Sequence, residues 1–122
     1  MSLSKAEEQL MEIIWANSPL YFKDLLELLP EPKPANTTVA TLLKRMLDKK
    51  YIAYRLRGNS REYYPLIPKD EYFKNHVNDL ITNFFSGSPL QFASFFTKTT
   101  ELSKDQLSIL KCIVEQKIEN KS

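Results

Sequence analysis

At Lys50 the apolar pattern of this sequence changes period, and that switch constrains the fold more than any other feature. Upstream, Val39, Leu42, Leu43, Met46 and Leu47 recur at the spacing of one helical stripe, with Asn36 expected as the N-cap. Thr37, Thr38, Thr41, Lys44, Arg45 and Asp48 fall on the opposite face. Downstream, Tyr51 to Arg57 and Arg61 to Leu66 are short β-prone runs joined by Gly58-Asn59-Ser60, which predicts a hairpin with a basic tip. Ile52, Tyr54 and Leu56 alternate along it with Arg55 and Arg57.

Two more helices are predicted ahead of this pair. Ser4 and Glu7 fit a capping box, and Leu10, Ile13 and Ile14 follow at helical spacing, giving a helix over residues 5–16. Asn17-Ser18-Pro19 ends it. After the apolar link Leu20 to Tyr21, Phe22, Leu25, Leu26 and Leu29 mark a second helix of about two turns. Pro30, Pro32 and Pro34 forbid its continuation and form a stiff connector, because each lacks an amide donor and restricts the residue before it. Beyond the hairpin, Pro68 opens a long helix to about Ser86 with Gly87 as its left-handed cap. Ser88-Pro89 starts a short helix, and Ser103 with Gln106 caps a last one. The fold class is therefore mainly α, with a winged helix-turn-helix domain over residues 1–67 and a three-helix dimerisation region over 68–122.

The net charge of +2 conceals an uneven distribution. Residues 1–35 sum to −3, residues 36–61 to +6 and residues 62–122 to −1. The basic stretch coincides with the third helix and the hairpin, which is the footprint expected of a surface that meets a polyanion. An α-helix fits the major groove, where side chains distinguish base edges, whereas phosphates give affinity without sequence information. Thr37, Thr38 and Thr41 are thus expected on phosphate or thymine, Arg45 on guanine and Lys44 on phosphate. Arg57, Asn59, Ser60 and Arg61 are expected to carry the hairpin tip along the adjacent backbone or minor groove. The rival reading is a winged-helix interaction module that docks an acidic protein partner through the same charges.

Phe73, Val77, Leu80, Phe84, Phe92, Phe95, Leu107, Leu110 and Val114 give the last three helices more apolar surface than they can hide from one another. A second copy of the chain is the expected cover, and a two-fold dimer would present two recognition helices to a palindromic operator. No catalytic site is expected. His76 with Asp79 reads as a surface helical pair, and Cys112 among Leu110, Ile113 and Val114 as a packed small hydrophobe. One cysteine and one histidine supply neither a disulfide nor a typical zinc site, so no metal or cofactor is expected. The two glycines, Gly58 and Gly87, rule out a Gly-rich phosphate loop. With no signal-peptide pattern and no apolar run near the roughly 18 residues that cross a bilayer, a cytoplasmic location without membrane insertion is expected.

LSKAEEQLMEIIW at 3–15, TTVATLLKRMLDKKYI at 37–52 and REYYPLIPKDEY at 61–72 together resemble the penicillinase repressor family (BlaI/MecI type). The resemblance spans nearly the whole chain. It implies a dimeric transcriptional repressor with operator contacts from Thr37, Thr38, Thr41, Lys44 and Arg45, wing contacts from Arg57 to Arg61, and dimerisation by the last three helices. In antibiotic-responsive members a membrane-bound sensor triggers cleavage in the short helix, commonly between Asn and Phe. The pair at that place here is Ser94 and Phe95, the candidate proteolysis site, and the next loop is one residue longer. The terminal cysteine motif of related copper-responsive repressors is not matched by Cys112 alone.

Overall fold

Ser4 opens helix α1 (Lys5–Asn17) as the capping box requires: its hydroxyl accepts the Glu7 amide at 3.2 Å, and Glu7 Oε1 accepts the Ser4 amide at 2.7 Å. The chain continues through β1 (Leu20–Tyr21), α2 (Phe22–Leu28), α3 (Asn36–Asp48), β2 (Ile52–Arg57), β3 (Ser60–Pro65), α4 (Lys69–Phe84), α5 (Pro89–Thr99) and α6 (Lys104–Asn120). These elements come from a computed structural model that describes residues 3–121. Two units divide the chain, Met1–Asn75 and His76–Ser122, with the division inside α4.

Three local features depart from the sequence expectations. Leu20 and Tyr21 are a strand and not merely a link: Leu20 pairs with Tyr63 and Tyr21 with Glu62, which makes an antiparallel sheet of order β1-β3-β2. Ala35, not Asn36, is the N-cap of α3. Its backbone is extended (φ −63°, ψ 148°) while its carbonyl already accepts the Val39 amide at 3.1 Å, so Asn36 lies within the first turn. Ser60 belongs to β3, opposite Arg57, leaving Gly58-Asn59 as a two-residue tip. Gly58 sits at φ 63° and Asn59 is not left-handed, the arrangement of a type II′ turn.

Helix α3 ends in a tight reversal that delivers the chain into the hairpin. The Lys50 amide donates to the Leu47 carbonyl at 3.0 Å and the Tyr51 amide to the Met46 carbonyl at 3.1 Å, a Schellman pair with Lys50 left-handed at φ 65°. Met46 and Tyr51 are both buried, supplying the apolar contact that accompanies this motif.

In the first unit Leu10, Met11 and Ile14 of α1, Leu25 of α2, Val39, Leu43 and Met46 of α3, and Ile52 and Tyr63 of the sheet close into one core. Tyr72, in the first turns of α4, belongs to the same core. Its hydroxyl donates to Glu8 Oε2 at 2.8 Å and accepts the Leu3 amide at 3.3 Å. Burial and the neighbouring Glu8 carboxylate push the Tyr72 phenol up to about 12. The Trp15 indole donates to the Ile67 carbonyl at 2.8 Å and its ring lies 5.6 Å from Tyr72.

The second unit is built differently. Ser103 and Gln106 form the predicted capping box of α6, and Ser88 caps α5. Gly87 is left-handed as predicted, but so is Ser86, at φ 53°. None of the residues described in α5 or α6 is buried. Among the described residues no helix is long and apolar enough to cross a membrane, and no cluster of His, Cys, Asp or Glu could hold a metal ion.

Candidate nucleic-acid interface

Burial of Val39, Leu43 and Met46 fixes the rotation of α3, and the residues half a turn away are thereby directed outward. Thr37, Thr38, Thr41, Lys44 and Arg45 are all exposed. They span roughly 12 Å of helix axis, comparable to the width of the major groove. The Thr41 hydroxyl donates to the Thr37 carbonyl at 2.9 Å, which leaves its oxygen free to accept. Lys44 and Arg45 enter no ion pair among the described residues.

Charge on the wing is organised by a carboxylate that the sequence reading overlooked. Glu62 stands opposite Arg55 across β2 and β3, and its Oε1 accepts from Arg55 Nε at 2.8 Å and from Arg57 Nε at 3.2 Å. The Arg55 hydrogen bond, with Arg57 behind it, holds the Glu62 carboxyl below its ordinary range. On the other sheet face, the Arg61 guanidinium lies over the Tyr54 ring, 4.2 Å from its centroid. A hydrogen bond with Tyr63 and the field of Tyr54 raise Arg61 further above its usual value. Asn59 and Ser60 are exposed at the tip.

The basic segment is thus less basic in space than in sequence. Lys49 Nζ bonds Glu7 Oε1 at 2.8 Å, tying the C-cap of α3 to the first turn of α1. Glu7 is buried, which by itself would raise its carboxyl, but hydrogen bonds from Lys49 and Ser4 outweigh this and lower it. Lys49 is therefore a structural residue. Lys44, Arg45, Lys50 and Arg61 are left without an acidic partner among the described residues. Sequence proximity could not have flagged the Lys49 pair, because Glu7 and Lys49 stand 42 positions apart.

Of the residues expected at a dimer interface, Val77, Leu80, Phe84, Phe95, Leu107 and Val114 are exposed, Phe84 by 76%. Phe92 and Leu110 are half-buried. Phe92 stacks near Phe96 and meets Phe85 edge-on at 5.5 Å, so part of its surface is used within the unit. Phe73 lies in the first unit, its ring 5.3 Å from Tyr72 and 5.9 Å from Trp15. Ser94 and Phe95 sit in the middle of α5, both exposed. His76 is half-buried and Asp79 exposed. Cys112, expected to be packed, is exposed, as are Ile113 and Val114 beside it on α6.

A three-helix head whose third helix turns hydroxyls and unpaired cations outward, followed by a basic two-stranded wing, defines a winged helix-turn-helix regulator that binds DNA. The chain belongs to the penicillinase repressor family, whose model matches residues 3–116. Among solved structures the fold is shared with a protein described as a MarR-like transcription regulator from Bacillus cereus ATCC 10987, with a TM-score of 0.50 and 15% identity over 97% of this chain and 77% of that one. The transcriptional regulator SlyA aligns with a TM-score of 0.44 and 17% identity over 95% of this chain and 73% of its own. No curated protein sequence matches the chain.

Proposed function

We propose that this protein is a homodimeric repressor that occupies a palindromic operator, reading it with Thr37, Thr38, Thr41 and Arg45 of α3. Lys44, Arg57, Asn59, Ser60 and Arg61 contact the sugar-phosphate backbone. The observation that carries this reading is the outward face of α3, where Lys44 and Arg45 are held by no acid among the described residues and stand ready for a polyanion. The dimer is supported by the exposed apolar residues of the second unit, in which a second copy has matching surface to cover. Such an assembly would occlude a promoter, an action we assign to the cytoplasm. A sensor protease that cut between Ser94 and Phe95 would separate α6 from the winged helix and so end dimerisation, after first opening α5, whose helical backbone no protease can thread.

Selection of bound fragments from genomic DNA tests the whole reading, with a palindrome as the expected product. If about four cations per subunit neutralise phosphates, log affinity falls against log salt with a slope of roughly −7. A flat salt response would remove duplex DNA as the ligand. Arg45→Ala should cost about 1–3 kcal/mol and relax the preference at one base pair. An equal loss on every sequence would move Arg45 to the backbone contacts. Phe84→Asp should halve the hydrodynamic mass while leaving the first unit folded, and an unchanged size would sink the dimer.

A further inference from the structure

An open cleft of about 630 Å³ lies between the first turn of α2 and the wing, and neither the helix face nor the hairpin tip alone accounts for it. Lys23, Arg57 and Arg61 line it together with Tyr21, Phe22 and Ser60, and no carboxylate among the described residues does. Its position follows from the shortness of β1. Because that strand pairs only with Glu62 and Tyr63, the edge of β3 at Ser60 and Arg61 has no neighbouring strand on that side. The acids next in sequence to Lys23 and Arg61 are already engaged. Asp24 accepts the Tyr21 amide at 3.0 Å at the start of α2, and Glu62 holds the two wing arginines. Lys23 has no ion-pair partner among the described residues.

Arg55 and Arg57 do not share Glu62 equally. Arg55 is its direct cross-strand neighbour with the shorter contact, whereas Arg57 reaches diagonally from beside the tip with the longer one. Arg57 is also the one that lines the cleft. We propose that this cleft seats a backbone phosphodiester of duplex DNA, gripped by Lys23, and that on binding Arg61 leaves the Tyr54 ring and Arg57 leaves Glu62 to join that phosphate while Arg55 keeps the carboxylate. Glu62 is then a positioning residue that stores Arg57 in the free protein and sets how tightly the wing holds any duplex. The inference deepens the DNA-binding reading above and rests on it.

The test is duplex binding by the full chain as a function of salt, on the selected operator and on a random duplex. Lys23→Ala should weaken both alike and make the slope shallower by roughly 0.9 per subunit, one phosphate's worth. Glu62→Gln should tighten both by about twofold to fivefold per subunit, the range an exposed ion pair spans, with the slope unchanged because the same phosphates are neutralised. Arg57→Ala should lose one contact and abolish the effect of Glu62→Gln. A Lys23→Ala slope equal to wild type overturns the seat. A Glu62→Gln slope steeper than wild type overturns the hand-over, since Arg57 would then reach DNA only when the carboxylate is removed. Inorganic phosphate at fixed ionic strength should compete equally against wild type and Lys23→Ala; stronger competition against wild type would reassign the cleft to free phosphate. If the wild type itself shows no salt-dependent duplex binding, it is the DNA-binding reading that fails.

Discussion

The two units of this chain use the same kinds of side chain to opposite ends. In the first, Leu10, Met11, Ile14, Leu25, Val39, Leu43 and Met46 are each no more than 1% exposed. In the second, Leu107, Val114 and Ile118 recur at helical spacing along α6 and all remain exposed. Periodicity alone therefore tells which face of a helix is apolar, not what will cover it. The first unit carries its stability within one chain. The second has apolar area in reserve, and a partner that buries it would make its stability depend on protein concentration.

That contrast can be broken most forcefully by paired truncations. Met46→Ala should cost about 2–5 kcal/mol by urea unfolding at any protein concentration, because it empties a closed core. Ile113→Ala should cost under about 0.5 kcal/mol in dilute protein and more as concentration rises. Equal losses at high dilution would erase the distinction between the units.

Glu7→Ala should cost about 3 kcal/mol, the low end for breaking a buried ion pair, since the Lys49 side chain is 25% exposed. The sign of its pH dependence is fixed by the direction of the shift. The folded carboxyl lies below its ordinary value of 4.5, so the native state binds fewer protons, and the stabilisation is present above that value. It is lost as pH falls through the folded pKa. Acid unfolding monitored by circular dichroism should accordingly shift to higher pH in Glu7→Gln, and an unchanged midpoint would show that Glu7 contributes little to the closed unit.

The smallest expected change is a gain. Lys50→Gly should raise stability by about 1 kcal/mol in a thermal melt, because it relieves a side chain held in the left-handed region. No gain would mean that Lys50 contacts offset the strain.

Much of the architecture was legible because it is encoded by neighbours. The capping boxes at Ser4 and Ser103, the period change at Lys50 and the glycine at the hairpin tip are local signals with local causes. What escaped the sequence depends on distant pairing. A strand of two residues has no alternation to read, and Leu20–Tyr21 becomes one only because Tyr63 and Glu62 come alongside. The same holds for the interface charges. The outward threonines, Lys44 and Arg45 follow from helical phase, but the assignment of Lys49 to Glu7, and of Arg55 and Arg57 to Glu62, is decided by the tertiary fold. Lys23 lay outside the basic stretch and joins the wing only through the turn from β1 into α2.

Trp15 is the chain's one tryptophan, and its indole hydrogen bond ends on the link that leaves the sheet for α4. Its intrinsic fluorescence is consequently a label-free reporter of that junction. A spectral shift on adding operator duplex would register strain transmitted out of the wing, and a constant emission would mark the junction as a rigid mount.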